Sequence, residues 1–305
     1  MIVKNISSTK SFNLNFNFSK MVKVSILIPC YNHQDFVSQT INSVMNQTLD
    51  DFELIVIDDG SKDNSVAIIK ELQNKFKFEF ISRSNRGLVP TVNELLSLST
   101  GEYYVLFASD DVMLPKRLEH QVKFLDSNLE YAVCHSGTEW IDEQGKFIKT
   151  DCNLNPSGYV FPELLKGDFI RAPSAMIRKS VLEDVGIYDE SLQIEDYDMF
   201  LRIANKYPIG YLNEVLVQYR QHPENSYNNP VKFKLMNENV YKILSKWDKT
   251  EFYSLSLREH YFQSFKRFSK TNFKKSTIYY GMLSWRKMNR RMYWGLWRNV
   301  LKNIK

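Results

Sequence analysis

The feature that most restricts the fold is a recurrence: short runs of strand-forming apolar residues, each ending in a polar cluster and followed by a helix-length stretch. "KVSILIP" runs into "CYNH", "FELIVID" into "DGS", "FEFISR" into "SNRG" and "YYVLFAS" into "DD". Helical stretches fall between and after them, at 35–47, 62–74, 88–98 and 115–127. This alternation predicts an α/β fold with a mostly parallel sheet flanked by helices on both faces. The runs are apolar at nearly every position, as strands buried on both faces must be. In open parallel sheets the ligand crevice lies outside the carboxyl ends of the strands, and the polar clusters sit at those ends.

With 305 residues and 43% hydrophobic content the chain can bury a substantial core. Its net charge of +5 hides a division. Residues 1–230 carry 22 Lys and Arg against 31 Asp and Glu, a net −9, and residues 231–305 carry 18 against 4, a net +14. An acidic body and a basic tail see different surfaces. Cys30, Cys134 and Cys152 are odd in number and form no CxxC pair, which speaks for a reducing compartment and against a disulfide framework or zinc knuckle. No apolar run approaches the roughly 18 residues of a membrane span, and the N-terminus lacks a signal peptide's layout. A cytoplasmic location is expected. Residues 1–20, rich in Asn, Ser and Phe and followed by Met21, read as a poorly ordered leader or as sequence upstream of the true start.

Past Ala132 the pattern is mixed. "YAVCHSGTEWID" and "APSAMI" read as strands, "IEDYDMFLRIANKY" as a helix with acids in its first turn, and "IGYLNEVLVQYRQH" as an extended segment. From about Pro230 the chain is helical, basic and aromatic. Within 276–305, Ile278, Met282, Trp285, Met288, Met292, Leu296 and Val300 recur at helical spacing, interleaved with Arg and Lys. That stripe suits a helix packed on the rest of the protein, or one lying on an anionic membrane. The acidic body and absent RNA motifs argue against nucleic acid.

Each polar cluster has two readings. Asp110 and Asp111 close a strand that enters a turn before Pro115, and two adjacent carboxylates also suit Mg²⁺ or Mn²⁺ bound with substrate phosphates. Asp58 and Asp59, in "DDGS", are good turn residues; an acid there also suits a base N–H or a ribose hydroxyl. Tyr31 could pack or stack on a nucleobase, and His33 could approach phosphate. Glu195, Asp196 and Asp198 occupy a helix N-terminus, where the dipole favours acids. Asp198 can pair with Arg202 at i+4. The remaining acids there are candidates for a general base. His222 lies in a polar loop after a strand, and Cys30 reads as a small buried residue rather than a nucleophile.

Taken in order, "VSILIPCYN", "DFELIVIDDGSKDNS", "NRGLVPTVNELLSLSTGEYYVLFASDD", "RKSVLEDVGIYDE", "IEDYDMFLR" and "YRQHPENS" resemble the inverting nucleotide-sugar glycosyltransferases of family 2, with the GT-A fold. The resemblance covers roughly 22–227. It implies a Rossmann-like catalytic domain over 21–230, with a nucleotide-binding half at about 21–112, an acceptor half at about 113–230, and a helical C-terminal extension over 231–305. By the same resemblance Pro29, Tyr31 and Asp59 frame the nucleobase, and Arg86 reaches donor phosphate or sugar. Asp110 sits near the ribose or sugar, Asp111 and His222 on a Mn²⁺ or Mg²⁺ ion, and Asp196 is the catalytic base. Asn32, His33, Asp58, Glu195, Asp198 and Arg220 are supporting candidates. One departure is Ala108, where many members carry a further acid.

The function this implies is transfer of a sugar from a nucleotide donor, a UDP-sugar first, to a saccharide or lipid-linked saccharide. The reaction is a metal-assisted single displacement of the kind used in surface-polysaccharide assembly, O-antigen or capsule. Such a protein is expected to sit peripherally on the inner face of the membrane. A nucleotidyltransferase shares the sheet and carboxylates but normally carries a Gly-rich loop after its first strand, and "PCYNHQDF" has no glycine. A non-catalytic binding module on the same scaffold is the third reading, motivated by Ala108.

Overall fold

The computed structural model describes residues 22–152, 155–193, 195–223, 225 and 230–268. The strands β1 (Val24–Cys30), β2 (Phe52–Asp58), β3 (Glu79–Ser82) and β4 (Tyr103–Leu106) lie in the order β3-β2-β1-β4, every neighbouring pair parallel. Helices α1 (Val37–Met45), α2 (Ser65–Lys75) and α3 (Leu88–Leu98) make the crossovers that parallel neighbours require. Successive side chains of a strand point to opposite faces, so each strand feeds two cores. Val24, Ile26 and Ile28 join α1, α2 and α4 (Arg117–Ser127) on one face. Leu27, Ile55 and Ile57 join α3 on the other. α1 presents Val37, Thr40, Ile41 and Val44, a helical i, i+3, i+4, i+7 stripe.

The four parallel strands are the parallel sheet expected from the alternation. Beyond β4 the sheet becomes mixed. β5 (Val112–Met113), β6 (Val133–Ile141), β7 (Phe147–Asp151), β8 (Met176–Arg178) and β9 (Ile209–Arg220) continue it in the order β4-β8-β6-β9-β5, with β7 hairpinned onto β6. β8 is antiparallel to both its neighbours and β5 to β9, while β6 and β9 run parallel. The β6–β7 turn at Gly145 is too short for a crossover, so that pair is antiparallel. α5 (Phe161–Lys166), α6 (Leu182–Val185) and α7 (Glu195–Ala204) complete this half.

Two further helices, α8 (Pro230–Ser245) and α9 (Tyr253–Phe268), pack onto it. Ile243 and Leu244 are buried in the same core as α3 and α7, and Trp247 meets Phe161 edge-on at 4.8 Å. The described part of 231–305 packs on the body of the fold; the basic stripe of 276–305 lies outside the described residues. Among the described residues no helix is long and apolar enough to cross a membrane.

The seam is held by Asp198. Its fully buried carboxylate takes Arg202 Nε at 2.9 Å and Lys246 Nζ at 2.8 Å, tying α7 to the segment after α8. Asp198 is thus accounted for structurally. Asp198→Ala removes the buried carboxylate the two cations share, while Lys246 keeps Asp189 and Arg202 keeps the Val185, Gly186 and Ile187 carbonyls, and should cost about 1–3 kcal/mol, a drop in melting temperature of roughly 2–8 °C. Calorimetry checks it, and an unchanged melting temperature would remove the pin.

Candidate active site

β1 and β4 deliver the first group. After Cys30 the backbone turns through Asn32 at φ 55°, a left-handed conformation that Asn tolerates. The turn is tied to the "DDGS" loop: the Asn32 N–H donates to Ser61 Oγ (2.8 Å) and Asn32 Oδ1 accepts from the Lys62 N–H (2.7 Å). His33 then lies beside Ser109, Nδ1 to Oγ at 2.7 Å, which fixes its ring. From the end of β9, His222 places Nε2 2.8 Å from Asp110 Oδ2. The two imidazoles are 5.7 Å apart and perpendicular, and Phe36 packs 5.0 Å from His222.

His33, Asp110 and His222 each offer one ligand atom, all within 4.8 Å of one another. Two imidazoles and a carboxylate fit a divalent cation that takes both nitrogen and oxygen. Mn²⁺ accepts that mixture better than Mg²⁺, which prefers an all-oxygen octahedron.

Asp111 is not in that group. It is turned inward and fully buried, Oδ1 accepting the Arg220 N–H at 2.8 Å, while Oδ2 has no hydrogen-bond partner. Burial first, and the adjacent Asp110 charge second, hold its carboxyl well above the usual range. Arg220 is buried beneath the site: Nε donates to the Asp110 carbonyl at 2.8 Å, Nη1 to the Asp142 and Glu143 carbonyls, and Nη2 to Gln39. It clamps the "DD" turn rather than facing a ligand. The fully buried Arg117 also acts on Asp111; nothing in the sequence pattern distinguishes it from an ordinary helix-start residue.

The "DDGS" loop is the second group. Asp58 closes its own turn, Oδ2 accepting from the Gly60 and Ser61 N–H groups at 3.1 Å. Gly60 needs its φ of +78°, and a Cβ there would meet the Asn85 nitrogen at 2.6 Å. Asp59 organises the "SNRG" loop: Oδ1 accepts from the Arg86 N–H at 2.8 Å and from Arg83 Nη1, and Oδ2 from the Gly87 N–H at 2.9 Å. The sequence singles out Arg86, whose side chain is 61% exposed and pairs with Glu94 at 3.5 Å. It gives no sign of Arg83, which follows the last β3 residue, Ser82, register partner of Asp58. Tyr31 is 46% exposed beside this loop, and Pro29 lies opposite Ile57 in the β1–β2 register.

A separate acidic cluster forms at the start of α7. Asp168, on the loop after α5, and Glu195 both feel the charge of Asp196. Burial first and that charge second push both up to about 8. Asp196 is itself raised by burial, and its Oδ1 accepts the Tyr197 N–H at 2.8 Å. Asp168 escapes a reading of the sequence as a charge partner because "KGDF" carries no periodic or motif signal. Cys30 is buried and its thiol is pushed up to about 12, mainly by burial, which fits a packing residue rather than a nucleophile.

A parallel half-sheet continued by a mixed half, with helices on both faces, places the chain in the GT-A class of fold. A family model for glycosyl transferase family 2 matches residues 25–186. An uncharacterized glycosyltransferase of Methanocaldococcus jannaschii is 31% identical over 218 residues, 68% of this chain and 74% of the relative. One from Rickettsia bellii is 30% identical over 237 residues, 75% of this chain, and this chain spans only 34% of that relative's length. Among solved structures, a fragment of S. aureus TarS in complex with UDP-GlcNAc matches with TM-score 0.65 at 17% identity, covering 92% of this chain and 88% of that one; the likeness speaks to the fold. The chain belongs to glycosyl transferase family 2, a family of sugar-transferring enzymes.

Proposed function

We propose that the protein transfers a sugar from a nucleoside-diphosphate donor, a UDP-sugar first, to a saccharide hydroxyl by a single inverting displacement. The observation that carries this reading is the His33–Asp110–His222 group at the carboxyl edge of the sheet, where such folds receive ligands. The TarS complex with UDP-GlcNAc supports the choice of donor. A Mn²⁺ ion held there when bound supplies positive charge for a departing diphosphate.

The chain's own residues do the rest. Tyr31 stacks on the base and Pro29 backs it. Asp59 sets the loop that presents Arg86 to phosphate or sugar, and Asp110 serves as the metal carboxylate in place of Asp111. Asp196 takes the proton from the acceptor hydroxyl as that oxygen attacks the anomeric carbon from the face opposite the leaving group. No protein nucleophile is needed. The +14 charge of residues 231–305 supports an acceptor presented on a lipid at an anionic membrane surface, as in surface-polysaccharide assembly.

A panel of UDP-, GDP- and dTDP-sugars with Mn²⁺ tests the donor. A UDP-sugar should raise the melting temperature by a few degrees, since about 100-fold saturation adds roughly 2.7 kcal/mol. Slow UDP release should accompany it. Stabilisation by no member of the panel would contradict the assignment.

A further inference from the structure

Phe36 offers no ligand atom, yet its ring packs against both imidazoles of the cation group and against the arginine beneath them. We propose that it is a positioning residue for the ion: it fixes the planes of the His33 and His222 rings, so that cation affinity depends on a side chain that never touches the cation. The proposal rests on the reading of His33, Asp110 and His222 as a cation site.

Three observations carry it. The first is the contact geometry. The Phe36 centroid lies 6.0 Å from that of His33, edge-on at 72°, and 5.0 Å from that of His222, tilted at 40°. Both separations fall within the roughly 4.5–7 Å of aromatic pairs. The imidazoles themselves are 5.7 Å apart at 89°, so the three rings close a triangle in which each restricts the rotation of the others. The Arg220 guanidinium sits 5.1 Å from the same phenyl centroid, and its Nε holds the Asp110 carbonyl at 2.8 Å. One ring therefore braces both nitrogen ligands and the clamp on the carboxylate ligand.

The second is how that ring is held. The Phe36 and Val37 N–H groups both donate to the His33 carbonyl, at 3.0 and 2.9 Å, so the "HQDF" turn folds the phenyl back onto the imidazole three residues earlier. The Phe36 carbonyl accepts the Thr40 N–H at 3.1 Å, and Thr40 Oγ1 donates to the Asp111 carbonyl at 2.8 Å. The first turn of α1 is thus tied to both loops that carry ligands. Phe36 is only half-buried, and the core stripe of α1 is made by Val37, Ile41 and Val44 instead.

The third is what the polar contacts leave undone. Ser109 Oγ holds His33 at Nδ1, and Asp110 meets His222 at Nε2. A single hydrogen bond fixes one atom of a ring and lets its plane turn; a phenyl packed against the ring fixes the plane. Imidazole ligation is directional in that plane, so an apolar brace acts on the metal through its ligands.

Calorimetric titration of Mn²⁺ into the full chain tests this on the wild type, Phe36→Leu, Phe36→Tyr and Ile41→Val. Phe36→Leu keeps apolar bulk and removes the ring, and should weaken Mn²⁺ binding about tenfold or more, the usual effect of losing an outer-shell partner. Phe36→Tyr keeps the ring and should keep the affinity. Ile41→Val, a buried substitution on the core stripe of the same helix, controls for lost stability and should bind as the wild type does. The visible absorption of Co²⁺ bound in place of Mn²⁺ reports ligand geometry and should change in Phe36→Leu alone. Unchanged affinity or an unchanged spectrum in Phe36→Leu, an equal loss in Ile41→Val, or a Phe36→Tyr variant as weak as Phe36→Leu overturns the proposal and leaves the cation group standing. A wild type that binds neither Mn²⁺ nor Co²⁺ sinks the cation reading itself, and the role of Phe36 with it.

Discussion

Asp196→Asn is expected to lower transfer by about 10²–10⁴-fold, the usual contribution of a positioned general base. Donor binding should stay within about twofold, because no residue of the cation group contacts this side chain. The pH profile adds a signature. Burial raises Asp196 above the ordinary carboxylate value, and the ionised form is the active one. The acid limb of kcat/KM should therefore lie at higher pH than an exposed aspartate's, and activity should rise through it. Stability runs the other way. Asp168 and Glu195 are raised to about 8, so their contribution is fully present below the ordinary carboxylate pKa and is lost as pH rises through about 8. Activity rising while melting temperature falls over that interval is the expected pattern. Wild-type turnover in the Asp196→Asn variant would remove Asp196 as the base.

Asp110→Asn and His222→Gln are expected to weaken Mn²⁺ binding by about 100-fold or more each, beyond the 10–100-fold typical of losing an outer-shell partner. Transfer should fall with it. Asp111→Asn separates the two aspartates of the "DD" pair. Asp111 Oδ1 holds the Arg220 amide, so its loss should act on stability and leave Mn²⁺ affinity within about tenfold. Calorimetric titration of Mn²⁺ into each variant decides between them. Greater loss of affinity in Asp111→Asn than in Asp110→Asn would return the ligand role to Asp111.

Much of this was legible in the chain. The β1, β2 and β4 runs are apolar at nearly every position, so their parallel burial and the polar carboxyl edge followed from pattern alone. The α3 stretch at 88–98 carries its own start and stop, Gly87 before it and the "STG" turn after it. What the sequence could not reveal was orientation. Adjacent residues such as Asp110 and Asp111 are chemically identical, and only the position of the end of β9 decides that one meets His222 and the other the Arg220 amide. The pairing of His33 with His222 joins a β1 turn to a β9 end through tertiary structure, with no local spacing to announce it. Arg83 and Asp168 stay hidden for the same reason: their partners are distant in sequence. The mixed half of the sheet, built from strands as short as Val112–Met113, carries too little periodicity to fix its pairing.

The central claim is that the His33–Asp110–His222 group presents a cation to the donor's diphosphate. Isothermal titration of UDP into the protein, once with Mn²⁺ and once with a chelator, tests it most directly. Binding with Mn²⁺ that vanishes in chelator, and vanishes likewise in Asp110→Asn, is the predicted result. Equal UDP affinity with and without the cation, unaltered by Asp110→Asn, would contradict it.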